Sequence, residues 1–128
     1  MNVYLDNAAT TAVAPEVVEA MVPVLQESFG NPSSSHAVGR KSRVLIEQSR
    51  RRVAKHLNCH PSCIYFTSGG TEADNLALRG AVRDLGCTRI ITSEAEHSAV
   101  IKTAQSLERS AGTTLDLVRH LPNGKVDL

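Results

Sequence analysis

Three short runs of β-branched, aromatic and aliphatic residues punctuate this chain: Cys63-Ile64-Tyr65-Phe66-Thr67, Arg89-Ile90-Ile91-Thr92 and the five residues 114–118. Between them lie segments with helical spacing. Ala73, Ala77, Ala81 and Leu85 recur at steps of four after the first run, and residues 98–110 read as a helix after the second. Strands separated by whole helices cannot pair through tight turns, so they pair in parallel with crossover connections. The expected class is α/β: a partial parallel or mixed sheet with flanking helices. The small-residue face of the helix that begins at Thr71 is expected to pack on that sheet.

Two helices are expected ahead of the first strand. One starts at Pro15, a favoured first helical position, with Glu16 and Glu19 near the positive end of its dipole. Val17, Met21, Val24, Leu25 and Ser28 mark one face, Pro23 is expected to kink it, and Gly30-Asn31-Pro32 ends it. The other runs from about His36 to Asn58, with Val38, Leu45, Ser49, Val53 and Leu57 inward and its arginines mainly opposite. Pro122-Asn123-Gly124 reads as a turn.

Charge is unevenly placed. Arg40, Lys41, Arg43, Arg50, Arg51, Arg52 and Lys55 fall on the second helix against the single acid Glu47, although the chain's net charge is only +1. A basic helix can bind phosphate backbones, but Tyr4, Phe29, Tyr65 and Phe66 are the only aromatics. A solvated face, or one that meets another part of a larger protein, is the simpler account, and nucleic acid is disfavoured. Cys59, Cys63 and Cys87 form no disulfide framework, which points to a reducing, cytoplasmic setting. His56, Cys59, His60 and Cys63 crowd together without finger-like ligand spacing, so no metal site is expected. No stretch approaches the roughly 18 apolar residues of a membrane span.

Ligands of parallel α/β sheets sit beyond the carboxyl ends of the strands, and two motifs fall there. In Phe66-Thr67-Ser68-Gly69-Gly70-Thr71-Glu72 a strand runs through a glycine turn into a helix start. The backbone N–H groups of such a start favour anions, and glycine lets a phosphate approach. A plain tight turn capped by Thr71 explains the same residues. The second motif is Ser93-Glu94-Ala95-Glu96-His97-Ser98. Its imidazole can move protons or stack on a flat ring, or it can simply bond locally at a helix start.

These segments also occur together in a known order. Tyr4-Leu5-Asp6-Asn7-Ala8-Ala9-Thr10-Thr11, Gly30-Asn31-Pro32-Ser33-Ser34-Ser35-His36, Phe66 through Ala77, and Glu96-His97-Ser98-Ala99-Val100 resemble the amino-terminal part of cysteine desulfurases of the NifS type. These are pyridoxal-phosphate enzymes of the class V aminotransferase group. The resemblance implies the large domain of an aspartate aminotransferase-like transferase and a homodimeric enzyme. It takes sulfur from L-cysteine, leaving L-alanine and an enzyme persulfide for iron–sulfur clusters or thiolated cofactors. By the same resemblance Gly70 and Thr71 match the turn that holds the cofactor phosphate. His97 matches the histidine that stacks on the pyridine ring and moves protons. Residues 1–14 would border the active site, and 15–128 would form an incomplete cofactor domain.

The family's later motifs have no match here: the pyridine-pairing aspartate, the Ser-x-His-Lys run with the Schiff-base lysine, the persulfide cysteine and the carboxylate-gripping arginine. None of Lys41, Lys55, Lys102 and Lys125 lies in such a run, and Cys59, Cys63 and Cys87 do not match the nucleophile. The chain is therefore expected to be a fragment, inactive alone. Selenocysteine lyase or another class V enzyme is the alternative within the class, and a non-catalytic binding module the alternative outside it. Sulfur-acceptor or scaffold proteins are the expected partners.

Overall fold

In a computed structural model that describes residues 3–127, the chain divides between Tyr65 and Phe66 into two units. The first carries helices α1 (Pro15–Glu27) and α2 (Ala37–His56) and a short 3-10 turn (Pro61–Cys63). The second carries α3 (Gly70–Arg83), β1 (Arg89–Ser93), α4 (Ser98–Ala111) and β2 (Thr114–Val118).

In the first unit, α1 begins at Pro15 as its sequence dictates and holds Pro23 inside it. Among the described residues of this unit its apolar face packs on no other helix, and Val17, Met21, Val24 and Leu25 are exposed. The links from α2 to the end of α1 are polar: Lys41 lies 3.7 Å from Glu27, and the Ser42 hydroxyl donates to the Ser28 carbonyl at 3.2 Å.

The α2 helix starts where expected, with the His36 ring as its N-cap. The inward face differs from the one read from spacing. Val38, Val53 and Leu57 are exposed, and the buried residues are Gly39, Ser42 and Ala54. The reason is the loop before the helix, which folds back so closely that only small residues fit beneath it. A Cβ on Gly39 would collide with the Asn31 carbonyl oxygen and come within 2.8 Å of Ser34 Cβ. A Cβ on Gly30 would lie 2.5 Å from the Val38 carbonyl oxygen. Two of the arginines hold the same loop: Arg40 donates to the Ser35 carbonyl, and Arg43 Nε to the Pro32 carbonyl at 2.7 Å. The helix ends with Asn58 at φ 50°, a left-handed conformation that asparagine tolerates, while the Cys59 N–H bonds to the Ala54 carbonyl.

Residues 63–67 do not form a strand. Pro61 opens the 3-10 turn, and Ile64 is extended (φ −99°, ψ 122°) but unpaired. A strand exists through its neighbour's hydrogen bonds, and here the Arg50 guanidinium takes the Ile64 carbonyl instead. Tyr65 and Phe66, in a run with the composition of a buried strand, are 73% and 53% exposed.

The second unit follows the expected alternation more closely. β1 and β2 pair in parallel, from Arg89 opposite Thr114 to Ser93 opposite Val118, with α4 as the crossover. Ile90, Ala104 and Leu107 form the buried core, and Leu78, Val82 and Leu115 close over it. The α3 helix thus packs on α4 with its Leu78–Val82 side. Ala73, Ala77 and Leu85, expected to meet a sheet, are exposed, because the larger aliphatic side chains win the contact with α4. Gly112 (φ 66°) ends α4 in the left-handed region. After β2, an antiparallel bridge between His120 and Val126 closes the expected turn, with Gly124 at φ 82°.

Two substitutions test these packings. Gly39→Ala should lower the stability of the first unit by about 1–3 kcal/mol, as forced overpacking does; an unchanged urea midpoint would contradict the tight loop contact. The Thr113 hydroxyl is buried without a hydrogen-bond partner. Thr113→Val should therefore raise stability by about 1 kcal/mol, and a lower melting temperature would show that the hydroxyl is satisfied.

Candidate functional site

Three helical segments begin at residues that reveal how their N–H groups are satisfied. The α2 helix and the 3-10 turn are capped by His36 and His60, whose Nδ1 atoms accept from Gly39 N and Ser62 N, each at 3.3 Å. The α4 helix is capped by His97, whose Nδ1 accepts from Ala99 N at 3.2 Å. At α3 the cap residue is Gly69, which has no side chain to offer. The first N–H groups of α3 lack an intrahelical acceptor, as at every helix start. Apart from chain neighbours and the helix's own backbone, no atom lies within 4 Å of where a Cβ on Gly69 or Gly70 would stand. This is open room at a positive helix end, with the exposed Thr71 next along it.

Glu72 is the carboxylate of this turn. Its Oε2 accepts from both the backbone N–H and the hydroxyl of Ser68, each at 2.7 Å. Those two hydrogen bonds hold its carboxyl below the ordinary carboxylate range, the backbone bond being the larger cause.

A cap at Nδ1 requires a lone pair there, so the capping form of His97 is the neutral imidazole with its proton on Nε2. Ser, Thr, Asp and Asn are the usual caps. Here the cap fixes the ring's orientation while the residue stays exposed. His97 is the last of the four residues between β1 and α4, so it stands beyond that strand's carboxyl end.

Gly70, Thr71 and His97 belong to one unit and to one end of it. Asn75 of α3 and Thr103 of α4 lie equally far into their helices and are hydrogen-bonded at 2.9 Å. The apolar contact then continues C-terminally in both, through Leu78 and Val82 to Ala104 and Leu107. The helices therefore run side by side in the same direction, with their first turns together.

The other residues singled out from the sequence lie in the first unit. In residues 4–10 the Ala9 and Thr10 N–H groups bond to the Asp6 carbonyl, and the Tyr4 hydroxyl meets that of Thr10. In the 30–36 loop Asn31 closes a turn, its Oδ1 accepting from Ser33 N at 2.9 Å. Among the described residues no group of three or more His, Cys, Asp or Glu side chains is placed to hold a metal ion.

One feature of the strand ends escaped the sequence reading. Glu94, Leu117, Val118, Arg119 and His120 line a shallow hollow of about 570 Å³ beyond the carboxyl ends of β1 and β2. The signal was available, since Arg119 and His120 follow a strand directly.

The profile of the family described as aminotransferase class-V matches residues 3–128. The chain belongs to that family. It is 51% identical over 109 residues to "Cysteine desulfurase IscS" of Methanosarcina thermophila, a match covering 83% of this chain and 27% of that protein. It is 44% identical over 128 residues to "Cysteine desulfurase" of Cereibacter sphaeroides, covering 98% of this chain and 33% of that one. Among solved structures, "NIFS-LIKE PROTEIN" superposes with a TM-score of 0.84 at 38% identity, over 94% of this chain and 33% of its own. "SspA in complex with cysteine" superposes with a TM-score of 0.77, also at 38% identity, over 88% of this chain and 33% of its own. This class-V chain spans about a third of the length of the relatives it matches.

The lowered carboxyl of Glu72 sets a pH signature for the α3 start. A folded value below the unfolded one means that the Ser68–Glu72 turn is stabilised above the ordinary carboxylate range, near pH 4.3. That contribution is lost as pH falls through the lower folded value. The Ser68 amide resonance should titrate with a midpoint below about 4.3 and stay flat in Glu72→Gln; a wild-type resonance that does not move would remove the hydrogen bond.

Proposed function

We propose that this chain is the amino-terminal part of a pyridoxal-phosphate-dependent cysteine desulfurase. The observation that carries the reading is the pairing of two helix starts. One is uncapped and open at Gly69-Gly70-Thr71, and the other carries the imidazole of His97. The group fits this donor set: its dianionic tail suits free N–H groups and a hydroxyl, and its flat ring suits an imidazole face.

In this reading the N–H groups of Gly70 and Thr71 and the Thr71 hydroxyl hold the phosphate. His97, its ring oriented by the Nδ1 cap, would stack on the ring and offer its Nε2 for proton transfer. When bound, pyridoxal phosphate supplies the electron-accepting ring on which amino-acid bonds are cleaved. The chain's own part is to orient that ring and hold one exchangeable proton beside it. Glu72, with its charge near the phosphate end, opposes the anion modestly and tightens the turn.

L-Cysteine is the proposed substrate, with L-alanine and a persulfide as products. The names of the matched relatives and the cysteine of the SspA complex support it over selenocysteine. Residues 1–14 are proposed to border the site and 15–128 to form part of the cofactor domain. The exposed apolar face of α1 supports a homodimer, with sulfur-acceptor or scaffold proteins as further partners. Three free, exposed cysteines support a reducing, cytoplasmic setting for iron–sulfur or thio-cofactor synthesis. No described helix is long and apolar enough to cross a membrane.

The test joins this chain to a family remainder that carries the Schiff-base lysine. His97→Ala should lower turnover about 10²-fold or more and shift the visible absorption of the cofactor with the fold intact. An unchanged spectrum and rate would place His97 away from the ring. The 128-residue chain alone, given cofactor and L-cysteine, should release no alanine, and clear turnover would mean that a lysine of this segment suffices.

A further inference from the structure

The side chain of Asn75 makes three hydrogen bonds at the junction of the two helix starts. Its Nδ2 donates to the Thr71 carbonyl at 2.9 Å, one turn back along α3. Its Oδ1 accepts from the Thr103 hydroxyl at 2.9 Å and from Arg79 Nε at 3.2 Å. Thr103 is 4% exposed, so its hydroxyl must find a partner inside the protein. A helical threonine usually turns its hydroxyl to the carbonyl one turn back in its own helix. Thr103 reaches across to α3 instead.

This arrangement differs in kind from the rest of the α3–α4 contact. Leu78, Val82, Ala104 and Leu107 hold the helices together through apolar burial, which is non-directional and sets no register as sharply as a hydrogen bond does. The Asn75 amide tolerates much less, since one planar group is fixed at both ends. It meets the backbone of Thr71 on one side and the helix capped by His97 on the other.

We infer that Asn75, with Thr103, is a positioning residue that sets the first turn of α3 against α4. It thereby sets Gly70 and Thr71 against His97. The inference rests on the cofactor reading above. Asn75 touches neither phosphate nor ring in it. Its action passes through the Thr71 carbonyl, and Arg79 only covers the outer side of Oδ1.

The experiment uses the 128-residue chain, inorganic phosphate as the probe, and the amide resonances of Gly70 and Thr71 as the readout. In the wild type, phosphate should shift both amides. Thr103→Val keeps the side-chain shape and removes the donor; it should weaken phosphate binding about fivefold, the scale of one lost hydrogen bond. Thr103→Ser restores the hydroxyl and should return binding to within about twofold, a rescue that depends on the hydroxyl and not on packing. Arg79→Ala should leave binding unchanged. Thr103→Ala takes the place of the valine variant if that one loses cooperative unfolding.

A folded Thr103→Val that binds phosphate as the wild type does would overturn the inference and leave the cofactor reading standing. A wild type whose Gly70 and Thr71 amides ignore phosphate would overturn the phosphate-cradle reading and the inference with it. Weakening in the valine variant that serine does not rescue would assign the effect to packing and also overturn the inference.

Discussion

Parallel pairing of β1 with β2 is the constraint from which the second unit follows. Parallel strands cannot be joined by a short turn, so the chain must leave the carboxyl end of β1 and return to the amino end of β2. The α4 helix makes that return. Its first turn is consequently delivered beside the carboxyl end of β1, and whatever residue caps it stands at the ligand-binding edge of the sheet. That residue is His97. Burial of Leu107 and Ala104 over Ile90 fixes α4 on the strands, and Leu78 and Val82 then fix α3 on α4. Thr71 is thus placed by apolar contacts two or three turns away from it.

The first unit is held by different means. Among the described residues of this unit α1 packs on no other element, and the few buried residues of α2 are small. Its order comes from backbone shape and charge: two glycines where loop and helix touch, a histidine cap, and arginines that grip carbonyls. A charged donor on a carbonyl is stronger than a neutral one but is screened at the surface. The basic run of α2, which on sequence alone resembled a solvated or nucleic-acid-binding face, is in good part consumed by this work. Arg40, Arg43 and Arg50 each hold a loop carbonyl, and Lys41 pairs with Glu27.

The elements legible in the sequence were those whose causes are local. Pro15, the end of α2 just before the left-handed Asn58, the strands at 89 and 114 and the turn at Asn123-Gly124 are set by φ preferences, caps and short-range pattern. The motifs at Gly70-Thr71 and His97 are local in the same way, since each is a helix start marked by its own residues, although only the one at His97 follows a strand. What the pattern could not show was which face meets which. Residues 63–67 have the composition of a strand, yet Tyr65 is exposed because pairing belongs to the neighbour and not to the segment. The stripe from Ala73 to Leu85 has the right period, but Leu78 and Val82 offer more surface to α4. Asn75 stood in plain view inside the motif, and only the third dimension showed that it reaches Thr103.

The electrostatics of the α3 start suit the anion site proposed for it. An uncapped helix end carries roughly half a positive charge, and a nearby carboxylate complements it. Glu72 occupies that role while bonding back to Ser68, one residue outside the glycines. Because it is fully exposed, its field is largely screened by water, whereas a phosphate seated on the Gly70 and Thr71 N–H groups would meet them directly. The carboxylate therefore complements the dipole without filling the space over Gly69 and Gly70, which no side chain enters. A serine or aspartate at position 69 would cap the helix better and close that space. Glycine leaves the helix end less satisfied on its own, and that shortfall is what a dianion can supply.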